Sequence, residues 1–190
     1  GLTFWTDPLS EETEITGPSA LRLFVSSTTR DADLFVLLRL FDPEENEITF
    51  QGALDPHSPL AHGWLRASHR ELDPIRSLPW RPYHPHDSPS PLEPGEIYEL
   101  EIEVWPTSIV APAGYRLAVS VQGHDYEYTG PGSAEGIRTF KNPFTGVGPF
   151  LHDSPVDRSP DVFGGITTVH LGPAHPSAIL LPVIPPRDQA

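Results

Sequence analysis

The sequence contains no cysteine. That excludes a disulfide framework, thiolate metal sites and a cysteine nucleophile. It also fits a reducing compartment, so the cytoplasm is the expected location. Methionine is absent as well, and Gly1 stands directly ahead of a strand-like run, Leu2-Thr3-Phe4-Trp5. The chain therefore reads as a piece excised from a longer polypeptide. Those opening residues hold neither a basic stretch nor an apolar core of the kind a secretory signal needs. No window approaches the roughly 18 consecutive apolar residues of a membrane-spanning helix. Basic residues are scarce: 12 Lys and Arg against 26 Asp and Glu leave a formal net charge of −14. A surface of that sign repels phosphate backbones and anionic lipids, so neither nucleic acid nor membrane is an expected partner.

Proline and glycine are plentiful. With 24 Pro and 15 Gly in 190 residues, the chain is punctuated too often for long helices. Between the breaks, apolar residues recur with period two. In residues 96–104, Tyr98, Leu100, Ile102 and Val104 face one way and Glu99, Glu101 and Glu103 the other, the pattern of a half-buried antiparallel strand. Leu21, Leu23 and Val25 alternate in the same way, as do Leu65, Ala67 and His69, and Tyr115, Leu117, Val119 and Val121. Asp33–Phe41 is almost continuously apolar, which predicts a central strand covered on both faces. Residues 166–171 and 178–184 supply two late strands. Pro182 offers no amide donor, so the last should lie at an edge or carry a bulge. Some eight strands joined by Gly/Pro turns predict a single all-β domain over residues 1–190, a jelly-roll β-sandwich of the galactose-binding type with long Pro/Gly-rich loops. Two such loops, 73–95 and 122–165, carry Trp80, Tyr83, Tyr126, Tyr128, Phe140, Phe144, Phe150 and Phe163. So many aromatics suggest loops ordered by a partner domain.

Chemistry-bearing patterns are weak. The nucleophile elbow G-x-S-x-G is absent, and the nearest string, Gly132-Ser133-Ala134-Glu135-Gly136, has the wrong spacing. His84-Pro85-His86-Asp87, with His57 and His62, could offer imidazoles to zinc or nickel, but the spacing matches no structural zinc motif. Asp31, Asp33, Asp125, Asp153 and Asp157 are loop or strand-end acids that could hold a structural calcium ion, although no EF-hand pattern is present. Trp5, Trp64, Trp80 and Trp105 could stack on sugar rings, which keeps a stand-alone carbohydrate-binding module open as an alternative. Core or interface packing is the ordinary use of tryptophan, and Trp105, which ends an alternating strand and precedes Pro106, reads as a core or inter-domain plug.

Several segments in order carry a resemblance. They are Leu2-Thr3-Phe4-Trp5-Thr6-Asp7-Pro8-Leu9, Glu14-Ile15-Thr16-Gly17-Pro18, Gly63-Trp64-Leu65-Arg66-Ala67-Ser68-His69-Arg70, Leu92-Glu93-Pro94-Gly95-Glu96, Trp105-Pro106-Thr107-Ser108, Ala113-Gly114-Tyr115-Arg116-Leu117, His175-Pro176-Ser177 and Leu181-Pro182-Val183-Ile184-Pro185. Together they resemble the C-terminal domain of the X-Pro dipeptidyl-peptidase and cocaine-esterase superfamily of serine hydrolases. Relatives often carry His where this chain has Tyr115. The resemblance implies an accessory sandwich beside an α/β-hydrolase domain of the same polypeptide. The Ser-His-Asp triad would lie in that other domain, so no catalytic, cofactor-binding or metal-binding residue carries over to this chain. It also implies packing on the hydrolase domain, a share in the active-site entrance, and contacts within an oligomer. The 73–95 loop and the 109–114 turn are expected on the packing face.

Overall fold

The structure is a computed structural model that describes residues 1–52, 55–130 and 151–186. Among the described residues, ten strands form two antiparallel sheets. The first sheet runs in the order β1 (Leu2–Trp5), β7 (Arg116–Gln122), β3 (Asp33–Phe41). The far side of β3 is shared by β4 (Glu47–Ile48) and β5 (Ala61–Arg66). The second sheet is built on β2 (Thr13–Ser27), with β6 (Tyr98–Ala111) along one side. Along the other lie β8 (Thr167–His170), β9 (Ala178–Leu180) and β10 (Val183–Ile184), end to end. One short helix, α1 (Pro160–Phe163), completes the elements. No helix among the described residues is long and apolar enough to cross a membrane.

The core lies where the period-two pattern predicts it. Leu21, Leu23 and Val25 of β2 and Leu100, Ile102 and Val104 of β6 meet Leu34, Val36 and Leu38 of β3 and Val121 of β7. Each such side chain taken fully out of water contributes about 1.5–3 kcal/mol before entropy is counted. Strand β3 is buried on both faces, as its apolar run requires. Its outer residues are covered by the 122–165 segment: Leu37 packs against Tyr126 and Tyr128, and Phe35 meets His152 with ring centroids 5.6 Å apart. Trp5 covers Phe41 at 4.3 Å. Tyr126, Tyr128 and His152 of that long loop thus pack within the chain, whereas Leu151 and Val156 are exposed. Phe140, Phe144, Phe150 and the 132–136 string lie outside the described residues.

Three boundaries differ from the sequence reading. Strand β5 stops at Arg66 and a 3-10 turn takes Ala67–His69. The carboxylate of Asp31 draws the chain inward there by accepting from the Ser68 amide at 2.9 Å. Strand β6 runs on to Ala111, so the expected 109–114 turn shrinks to Pro112–Tyr115, with Gly114 at φ 86°. The last strand is split at Leu181-Pro182; the Pro182 carbonyl still accepts from Thr16 N–H at 3.0 Å, so a missing donor interrupts the ladder without unseating it. The Pro94-Gly95-Glu96 step has a direct cause. Gly95 sits at φ 87°, a backbone region that side chains disfavour, and its amide donates to the Ser27 carbonyl at 2.8 Å. That contact ties the start of β6 to the end of β2.

Candidate functional site

The two sheets touch at one corner, where β5 of the first meets β6 of the second. Gly63 lies at the contact. A methyl group built there would overlap the carbonyl oxygen of Glu103 and come within 3.2 Å of the Val104 Cα. Backbone against backbone is possible only because residue 63 has no side chain. The approach carries the outward residues of β5 round to those of β6. His62 lies 4.3 Å from Trp64 and 5.2 Å from Trp105 between ring centroids, and the two indoles are 5.1 Å apart at 79°. Trp105 stands at an irregularity in the β2–β6 ladder: Trp105 and Pro106 oppose the single residue Pro18, between Ser19↔Val104 and Gly17↔Thr107. An extra residue of this kind bends a strand and re-aims its side chain. Trp105 is 55% exposed, which removes the core half of its expected role as a core or inter-domain plug and leaves the inter-domain half untouched.

Behind the indoles lies an Asp–His pair. The buried Asp125 carboxylate accepts from the His152 backbone amide at 2.6 Å and faces the His152 Nδ1 at 2.9 Å. The His152 ring lies 6.0 Å from Trp64. Among the described residues no serine hydroxyl is hydrogen-bonded to His152. Burial lowers the basicity of His62, partly offset by the charge of Asp125, and its Nδ1 is enclosed without a hydrogen-bond partner.

The 73–95 loop flanks this corner. Pro82 is fully buried, and the Asp73 amide donates to the Tyr83 carbonyl at 2.9 Å. His84 faces two carbonyl oxygens, that of Glu71 from Nδ1 at 3.1 Å and that of Glu101 from Nε2 at 2.9 Å. Neither nitrogen is left to a metal. His86 stacks loosely between His69 and His84, and burial, then those two neighbours, lower its basicity. His57 is elsewhere, stacked on Tyr128 at 4.1 Å.

The acids offered for calcium are spoken for in other ways. Asp31 caps Ala32 N–H and Ser68 N–H, both at 2.9 Å. Asp33 takes a two-pronged contact from Arg66 (2.8 and 3.0 Å) and an ion pair from Arg158 at 2.7 Å. Asp157 meets the same two arginines, and the Arg66 hydrogen bonds hold its carboxyl below the usual range. This square of charges pins the returning 151–165 segment to the ends of β3 and β5. Asp153 is exposed. No group of three His, Cys, Asp or Glu suited to a metal occurs among the described residues. Of the remaining tryptophans, Trp5 covers Phe41, and Trp80 lines a groove with Pro18, Leu180, Leu181 and Pro182. The sequence reading missed Asp125–His152, a contact between distant residues that leaves no local pattern.

Comparison with known proteins adds a consistent picture. A family described as the X-Pro dipeptidyl-peptidase C-terminal non-catalytic domain matches residues 1–180. A Mycobacterium bovis protein named as a serine esterase is 32% identical over 148 residues, 74% of this chain and 22% of that protein. The cocaine esterase of a Rhodococcus species is 28% identical over 184 residues, 96% of this chain and 25% of that enzyme. Among solved structures, a CocE/NonD family hydrolase from Staphylococcus aureus superposes with a TM-score of 0.77 at 26% identity, covering 96% of this chain and 30% of its own. The chain thus spans about a quarter of the length of these curated relatives.

Proposed function

The chain belongs to the X-Pro dipeptidyl-peptidase C-terminal non-catalytic domain family, and on that footing we propose that it is the accessory sandwich, a jelly roll, of a larger serine hydrolase acting on esters or X-Pro peptides. One observation carries the proposal: a fold matched from residue 1 to 180 spans only 22–30% of its relatives, so the bulk of those proteins lies beyond this sandwich. Its role is then burial against the hydrolase portion. A groove of about 300 Å³ walled by Pro18, Trp80, Leu181 and Pro182, with Leu180 half exposed beside it, offers apolar surface for that purpose. Such surface removed from water stabilises both partners by about 25 cal/mol per Å² before entropy costs. In this reading the 73–95 loop reaches the substrate entrance and restricts water there.

An Asp–His pair alone can orient a base, but acyl transfer also needs a nucleophile and an oxyanion pocket. Incubated by itself with a p-nitrophenyl ester and with an X-Pro p-nitroanilide, the 190-residue chain should release nitrophenol and nitroaniline at the buffer rate. Saturable turnover that falls on replacing His152 with alanine would place the catalytic machinery here and end the accessory reading.

A further inference from the structure

The corner between the sheets opens outward as a cleft of about 340 Å³, lined by Trp64, Trp105, Glu103 and residues 82–86. Glu103 projects from the outer face of β6 in phase with Trp105 and is partly buried. Among the described residues its carboxylate forms no hydrogen bond and no ion pair. A carboxylate without a partner of its own is open to an arriving cation.

The surrounding rings define what kind of cation fits. This chain stacks its own arginines on aromatic rings repeatedly: Arg39 on Phe41 at 4.8 Å, Arg66 on Phe163 at 4.5 Å, Arg70 on Tyr98 at 4.4 Å and Arg76 on Tyr83 at 5.2 Å. No described arginine lies over a tryptophan, although indole is the strongest cation–π acceptor. Two indoles at 79° form a corner, and the carboxylate stands beside it. Arg76, on the Tyr83 side, pairs with Asp73 at 3.5 Å. A guanidinium suits the corner better than an ammonium. It is flat, weakly hydrated, stacks on rings and still donates to a carboxylate. An anion is opposed by Glu103 and by the net charge of −14. A neutral sugar needs several free hydrogen-bonding side chains, and both nitrogens of His84 already face backbone carbonyls.

We propose that this cleft binds a guanidinium group, held by the Glu103 carboxylate against the Trp105 and Trp64 indoles. The cleft is lined by residues of this chain, among them part of the 73–95 loop that the accessory-domain reading sets beside the hydrolase portion. The test is a titration of the 190-residue protein with N-acetyl-arginine methylamide, following the indole N–H resonances of Trp64 and Trp105. Both should move saturably. Glu103→Gln should weaken the binding about tenfold at an unchanged thermal midpoint, consistent with loss of one charge-assisted contact, and Trp105→Ala should weaken it similarly. N-acetyl-norleucine methylamide should produce no shift. Agmatine run in parallel identifies the source: tighter binding than the capped arginine marks a free small molecule, weaker binding a polypeptide side chain, and either supports the site. Absence of a saturable shift, equal binding by Glu103→Gln, or a response to galactose in place of arginine would overturn it.

Discussion

Replacing Gly63 with alanine should destabilise the domain by about 3 kcal/mol, a fall in thermal midpoint of roughly 6–12 °C for a domain of this size. The cause is steric. The added methyl meets the Glu103 carbonyl and the Val104 Cα, both backbone atoms, so no side chain can swing aside to admit it. Relief requires β5 and β6 to separate, which loosens the corner and parts Trp64 from Trp105. The near-ultraviolet circular dichroism of the indole pair should therefore weaken in the folded variant. Gly123 provides the control. A methyl there meets nothing within 4 Å, and Gly123→Ala should leave stability within about 0.5 kcal/mol. An unchanged midpoint for Gly63→Ala would mean that the sheets do not meet in this way.

The second large effect is expected at Asp31. Its buried carboxylate accepts from the Ala32 and Ser68 amides, and so joins the entry to β3 with the turn that ends β5. Asp31→Ala strands two buried N–H groups, each costing about 1–3 kcal/mol. A total of about 3 kcal/mol should appear as a lower urea midpoint with an unchanged slope. Asp31→Asn keeps an acceptor in place and should recover roughly half of that loss. Equal losses for the two variants would show that the carboxylate, and not the cap geometry, is what matters.

Both residues show where sequence reasoning reaches and where it stops. The strands β2, β3, β6 and β7 were legible because a half-buried strand writes its burial into alternate positions, and β3 because an unbroken apolar run needs cover on two sides. What supplies that cover was not legible. Tyr126, Tyr128 and His152 lie about a hundred residues from Phe35 and Leu37, and no local pattern encodes such a contact. Gly63 was visible only as part of a family motif, since its meaning depends on the strand it touches. Asp31 and Asp33 were visible as acids, and acids at strand ends suit calcium on paper. The structure instead gives Asp31 to backbone amides and Asp33 to Arg66 and Arg158. Trp105 was read as a core or inter-domain plug; the alternation that places Glu99, Glu101 and Glu103 outward also places residue 105 outward, so only the core half of that reading falls.

The family itself was legible from eight short segments, and several of these have physical reasons in the fold. Gly95 needs its left-handed turn, Arg66 anchors the returning 151–165 segment, and Pro182 interrupts the final strand. They maintain a sandwich whose outer surface is available to a neighbour.

The most direct test is to prepare the proposed parent hydrolase with and without residues 1–190 of this sequence, and to measure thermal inactivation alongside turnover of a simple ester. The account predicts that deletion lowers the inactivation temperature of the remaining enzyme by several degrees and reduces kcat/KM, while the sandwich alone shows no turnover. A truncated enzyme as heat-resistant and as fast as the intact one would contradict it.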